Sequence, residues 1–248
     1  MKASVIVSTY NKPDYLKWTL ASIAWQTELP HEVVVADDGS ETETRNLVDD
    51  YRIGQRCLVK HSWIPDQSFR LSRSRNCAVV KSTGDLLIFV DGDCILPPNF
   101  VQTAKRLATE GKILNGARKL LSQKLTDELL VKKPTLSLVS PFFSGRKFWR
   151  LQLSLLRDYP RRSWKVFRGF LMVIPRAIFN AVGGFNEGFQ SWGLEDSEFA
   201  VRALGAMATI RDGRYALAVL HLYHPEPNKN VCSPNSEQFN ELLRVKGF

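Results

Sequence analysis

Between Ala3 and Asn115 the chain alternates short β-branched runs with amphipathic or capped segments, the pattern of an open parallel sheet with crossover helices. Strands are expected near Ala3 to Ser8, Glu32 to Ala36, Cys57 to His61, Leu86 to Val90 and Ile113 to Asn115, with four helices between them. Pro13 suits the first turn of a helix, and Ser40 followed by Glu43 forms a capping-box pattern opening the second. Gly84 after Val79-Val80-Lys81-Ser82 resembles a helix C-cap, and Pro97 introduces a fourth helix over Pro98 to Ala108. Ligands of such sheets sit beyond the carboxyl ends of the strands. Ser8-Thr9-Tyr10-Asn11, Asp37-Asp38-Gly39-Ser40 and Asp91-Gly92-Asp93 all fall there, so three strand ends face one crevice.

The last of these clusters carries specific chemistry. Asp91 and Asp93 point to the same side of an extended chain, and Gly92 lets a ligand approach the backbone. Hard oxygen ligands of this kind suit magnesium or manganese, which complete their shell with water and substrate phosphate. Alone, the tripeptide reads more readily as a charged turn, so its company decides.

At 248 residues, 44% hydrophobic and 24% charged, the chain fits one large globular domain or one domain with an elaborated insert. It contains no stretch of eighteen apolar residues, and Met1-Lys2 leads directly into Ala3-Ser4-Val5-Ile6-Val7 without a signal-peptide layout, so a cytoplasmic location is expected. Cys57, Cys77, Cys94 and Cys232 are scattered and read as reduced, structural thiols. A net charge of +9 implies an anionic partner. From Lys112 to Arg168, fourteen Lys or Arg stand against Asp127, Glu128 and Asp158, a net +11. There Phe142-Phe143, Phe148-Trp149, Leu153 and Leu156 alternate with Arg146, Lys147, Arg150 and Arg157. That pattern fits a basic amphipathic helix on an anionic membrane and, equally, a core-packing helix with a solvated basic face. No recognised nucleic-acid motif accompanies it.

Strand-like hydrophobicity returns at Phe167 to Pro175, and Ala181-Val182-Gly183-Gly184-Phe185 marks a turn. Ser191-Trp192-Gly193-Leu194-Glu195-Asp196-Ser197-Glu198 then puts three carboxylates at the start of a helix expected over Leu194 to Ala206. The helix dipole explains Glu198. It does not explain the Trp192-Gly193 lead-in, an aromatic beside a glycine of the kind that walls a sugar site. After the strand-like Tyr215 to Leu220 come His221 and His224; histidines so placed are more often structural, but an acidic cluster needing neutral ligands raises the case for metal binding.

Taken in order, Val5-Ile6-Val7-Ser8-Thr9-Tyr10-Asn11, Asp37-Asp38-Gly39-Ser40, Arg73-Ser74-Arg75-Asn76 and Asp91-Gly92-Asp93 resemble inverting, metal-dependent glycosyltransferases of the GT-A fold in the family-two group. Gly183-Gly184-Phe185-Asn186-Glu187, Trp192-Gly193-Leu194-Glu195-Asp196 and His224-Pro225-Glu226-Pro227 are similar to the galactosyltransferase-type half of bacterial chondroitin polymerases and animal beta-1,4-galactosyltransferases. The resemblance covers roughly residues 3 to 116 and 166 to 228 and implies an α/β GT-A fold, Rossmann-like, in a single domain. Residues 1–116 would form the nucleotide-sugar-binding half, 117–165 a basic variable insert and 166–248 the acceptor-binding and catalytic half.

Carried over residue by residue, the resemblance implies that Thr9, Tyr10 and Asp38 contact the uracil and ribose of a UDP-sugar, with Arg75 near the diphosphate or donor sugar. Asp91 would hold the ribose or sugar beside Gly92, and Asp93 would bind Mn2+ or Mg2+ with His224, or failing that His221, as second protein ligand. Trp192 and Gly193 would line the donor and acceptor sugars. Asp196 would be the general base, with Glu195 beside it on sugar hydroxyls. The family usually carries glycine where this chain has Leu194, which bears on the shape of the acceptor pocket. The activity so implied is transfer of a sugar from a UDP donor to a glycan or lipid-linked acceptor in cell-surface polysaccharide synthesis, with the inner membrane face as an expected location. A sugar-nucleotide pyrophosphorylase is the competing enzyme class, and a non-catalytic glycan-binding or scaffold protein the competing non-enzyme.

Overall fold

The computed structural model describes residues 1–108, 111–143, 160–161, 163–214, 216–225 and 235–247. The basic amphipathic stretch from Arg146 to Arg157 lies outside those residues, as do Glu226, Pro227 and Cys232.

Strands β1 (Ala3–Thr9), β2 (Glu32–Asp37), β3 (Leu58–Trp63) and β4 (Leu86–Asp91) are parallel neighbours in the order β3-β2-β1-β4. Helices α1 (Pro13–Ala24), α2 (Thr42–Arg52) and α3 (Leu71–Lys81) cross between them. Every residue of β1 and β2 is buried, which is why these strands read as unbroken apolar runs instead of alternating. After β4 come β5 (Cys94–Ile95), α4 (Phe100–Leu107), β6 (Lys112–Asn115) and β7 (Ala117–Leu120). Helices α5 (Gln123–Leu130) and α6 (Leu136–Phe143) follow, then β8 (Pro160–Arg161) and β9 (Leu171–Pro175). The remaining elements are α7 (Arg176–Val182), α8 (Glu195–Gly205), β10 (Thr209–Asp212), β11 (Ala218–His221) and α9 (Asn235–Lys246).

The large sheet runs β3-β2-β1-β4-β9-β6-β10-β8. It is mixed: β9 lies antiparallel between β4 and β6, so the last strand of the first 116 residues joins the sheet only through a strand from the second half. One apolar layer is centred on Val5, Leu20, Val33 and Ile88, and the opposite one on Phe89, Phe179, Phe185 and Phe199. A small second sheet, β5-β11-β7, sits at the carboxyl edge. Residues 117–143 fold back on α1, where Trp18 Nε1 donates to Leu129 O at 3.2 Å among the buried side chains of Leu121, Val139 and Leu220. Among the described residues, no helix is long and apolar enough to cross a membrane.

Three local expectations change. The capping box does not form: Glu41 holds the N-cap of α2, and Ser40 Oγ instead accepts the Asn11 N–H at 2.9 Å, joining two strand-end loops. Helix α3 closes at Ser82, whose backbone is extended, and Gly84 serves close packing instead, since a Cβ there would lie 2.5 Å from Ser4 Oγ. The fourth helix starts at Phe100, with Asn99 at its N-cap and Pro97 and Pro98 in the lead-in.

Candidate active site

The turn Asp91-Gly92-Asp93 is fixed by backbone. Gly92 N–H donates to Ser8 O at 2.8 Å, so closely that a Cβ on Gly92 would itself lie 2.8 Å from that oxygen. Beyond the turn, Cys94 pairs with His221 across β5 and β11, and Leu222 N–H donates to Asp93 O at 2.9 Å. These bonds deliver both histidines to one carboxylate: His221 Nε2 lies 3.3 Å from Asp93 Oδ1 and His224 Nε2 lies 3.2 Å from Asp93 Oδ2. Burial holds the His221 imidazole below its usual pKa despite Asp93. The hydrogen bond to Asp93 raises His224. Burial favours a neutral Asp93, yet the two histidines outweigh it and hold this carboxyl below its ordinary pKa.

That donor set fits a divalent cation. Adjacent ligands of an octahedral ion with bonds of about 2.1 Å stand about 3 Å apart, close to the two separations here, and His221 Nδ1 is buried without a partner. Asp93, Cys94 and His221 offer ligand atoms within 4.8 Å of one another, but burial pushes the Cys94 thiol well up, and a protonated thiol is a poor ligand.

At the ends of β1 and β2, Asp38 Oδ2 accepts the Arg70 N–H at 2.7 Å, leaving Oδ1 buried and without a partner. Desolvation raises this carboxyl. Thr9 is buried beside it, while Tyr10 is 49% exposed with its hydroxyl donating to Asp66 at 3.1 Å. The pocket thus offers a flat aromatic face and an unsatisfied acceptor, the equipment for a nucleobase.

Arg75 ties the two halves together. Only 1% exposed, it donates through Nε to Ser8 Oγ (3.1 Å), through Nη1 to Glu195 Oε1 (3.3 Å), and through Nη2 to Asp91 Oδ1 (3.1 Å) and Gly169 O (3.0 Å). One cation shared by two buried carboxylates leaves them undercompensated. Burial and the neighbouring Asp196 charge push Glu195 up to about 7 against the pull of Arg75, and burial takes Asp91 up to about 6. Asp196, at the first turn of α8, accepts Gly169 N–H on Oδ2 at 2.5 Å and Ser197 N–H on Oδ1 at 2.6 Å, which fixes its orientation.

Trp192 is 50% exposed, and Gly193 and Leu194 have φ of +93° and +73°. That left-handed backbone costs a non-glycine residue about 1–2 kcal/mol, and it accounts for the glycine expected at Leu194. Here the side chain packs against the buried cluster of Phe189, Val201 and Phe239. Several site residues escaped the sequence reading. Arg118, 3.2 Å from His221 Nε2 and stacked over Phe170, gave no signal beyond its charge, and Gly169 acts through its backbone.

The pattern of glycosyl transferase family 2 matches residues 4–179. The chain belongs to that family. The pattern described as the N-terminal domain of galactosyltransferase matches residues 152–225, the half that carries Trp192 to Asp196. Among curated relatives, validoxylamine A glucosyltransferase of Streptomyces hygroscopicus subsp. limoneus is 28% identical over 95% of this chain and 55% of its own length. Chondroitin synthase of Pasteurella multocida (strain Pm70) is 30% identical over 90% of this chain and 25% of its own. The family 2 chain therefore spans about half or less of these relatives. Among solved structures, Staphylococcus aureus TarS in complex with UDP-GlcNAc superposes with a TM-score of 0.69 at 23% identity, covering 99% of this chain and 65% of that one. GalNAc-T7 with UDP, GalNAc and Mn2+ gives 0.70 at 18% identity, covering 98% and 48%. These likenesses establish the GT-A fold.

Proposed function

We propose that this chain is a metal-dependent inverting glycosyltransferase that moves a sugar from a UDP-sugar to a glycan or lipid-linked acceptor in cell-surface polysaccharide synthesis, at the cytoplasmic side of the membrane. The carrying observation is the pairing of two acidic centres at the ends of one crevice: Asp93 with two histidines, and Glu195-Asp196 joined to Asp91 through Arg75. UDP-containing and Mn2+-containing neighbours support the donor and the cation.

Thr9, Tyr10 and Asp38 would take the nucleoside, the unpartnered Asp38 Oδ1 accepting a base N–H. Asp93, His221 and His224 would hold Mn2+ or Mg2+, which when bound neutralises charge developing on the leaving diphosphate. Arg75, bonded to protein groups through all three of its nitrogens, holds Asp91 and Glu195 in register with each other. Asp196, oriented by Gly169 and Ser197, would accept the proton of the acceptor hydroxyl as it attacks from the face opposite the diphosphate, giving inversion. Glu195 would carry a proton near neutral pH and donate to a sugar hydroxyl. The net charge of +9 supports attraction to an anionic membrane surface.

A panel of UDP-sugars assayed for hydrolysis and transfer, with manganese and with chelator, tests this. Manganese-dependent turnover of at least one donor is expected; absence of binding to all of them, or indifference to chelator, rejects the reading.

A further inference from the structure

The loop before Glu195 is held from outside the catalytic crevice. Asn235, the first residue of α9 and only 3% exposed, donates through Nδ2 to Ser191 O at 2.9 Å and to Gly193 O at 2.7 Å. One side-chain amide thus bridges the carbonyls on either side of Trp192. Leu194 adds an apolar anchor in the cluster of Phe189, Val201 and Phe239, and Phe239 in turn meets Trp164 edge-on at 4.9 Å. Without these ties, Gly193 and a left-handed Leu194 would leave Trp192 on a pliable lead-in.

We propose that Asn235, with Leu194, is a positioning residue for the acceptor side: α9 fixes the Trp192 wall and the entry to α8, and so sets acceptor use without bearing on cation binding at Asp93. The assignment rests on the glycosyltransferase reading for its functional half. Its geometric half stands independently, because a residue that locks a loop slows exchange of that loop's amides whatever the loop binds.

The test pairs two measurements on the full chain. Hydrogen exchange in Asn235→Ala should quicken at least tenfold at residues 191–197 and remain unchanged at the β4 and β11 ends around Asp93 and His221. With whichever UDP-sugar the wild type hydrolyses, and 4-nitrophenyl glycosides as acceptor probes, acceptor KM should rise about tenfold while manganese affinity stays within twofold. Asn235→Gln, which keeps the amide, should recover part of the loss, and Asn235→Asp, which sets a carboxylate against two carbonyls, should recover none. Unchanged exchange at 191–197 overturns the proposal, as does a parallel fall in manganese affinity, transfer and Tm, which marks a general fold effect. A wild type that turns over no UDP-sugar rejects the glycosyltransferase reading and the acceptor role with it; the exchange data then still decide whether Asn235 locks the loop.

Discussion

The two acidic ends of the crevice are tuned in opposite directions. Asp93 faces two imidazoles and is held below its ordinary pKa, ready to stay charged toward a cation. Glu195 is also buried, but it must share Arg75 with Asp91 and lies beside Asp196, so it rises to about 7. Similar carboxylates thus diverge through the hydrogen-bonding and charged neighbours each one has. That division suits a reaction needing a fixed carboxylate to hold a cation at one end and exchangeable protons at the other.

Removing the shared cation breaks the comparison most severely. Arg75→Ala leaves two buried carboxylates without their partner and should cost about 3–5 kcal/mol of stability, read by denaturant unfolding; Arg75→Lys should not restore it, since an ammonium cannot reproduce the guanidinium's spread of bonds to Ser8, Asp91, Glu195 and Gly169. Next, Asp196→Asn should lower transfer by about 10²–10⁴-fold while donor binding persists, whereas Asp93→Ala should abolish metal-dependent donor binding, as isothermal titration would show. Between the histidines, His221→Ala should weaken manganese binding more than His224→Ala, each by about tenfold or more, because burial presents His221 in its neutral form.

The smallest effect concerns pH. The folded state retains a proton on Glu195 up to about 7 that the unfolded chain releases near 4.5, so this residue's contribution to stability should fall as pH rises through that window. Glu195→Gln should flatten the Tm-versus-pH curve there, and an unchanged slope would remove the case for a raised Glu195.

How legible each end was follows from what builds it. Leu86 to Val90 is buried on both faces, so the run itself announced a strand and located Asp91 and Asp93 at its end. The first crossover helix and the Asp38 loop were legible for the same reason. The small sheet was legible only in part: the strand-like Tyr215 to Leu220 overlaps β11, whereas β5 with two residues and β7 with four are too short for a periodic signal. Hence the sequence left His221 and His224 as alternatives where the structure brings both to Asp93. The contact of buried Arg75 with carboxylates from both halves was not legible either, since that relation is set by β9 inserting beside β4. Asn235 carried no local signal, since its partners are the carbonyls of residues 42 and 44 positions earlier.

The pairing of β5 with β11 also dictates an order of synthesis. Asp93 leaves the ribosome 128 residues before His221, so the loops at Asp38 and Tyr10 are made while Asp93 still lacks both imidazoles. A nascent chain halted before β11 would carry the Asp91-Gly92-Asp93 turn without either histidine. The ladder made last is thus the one that completes the cluster around Asp93.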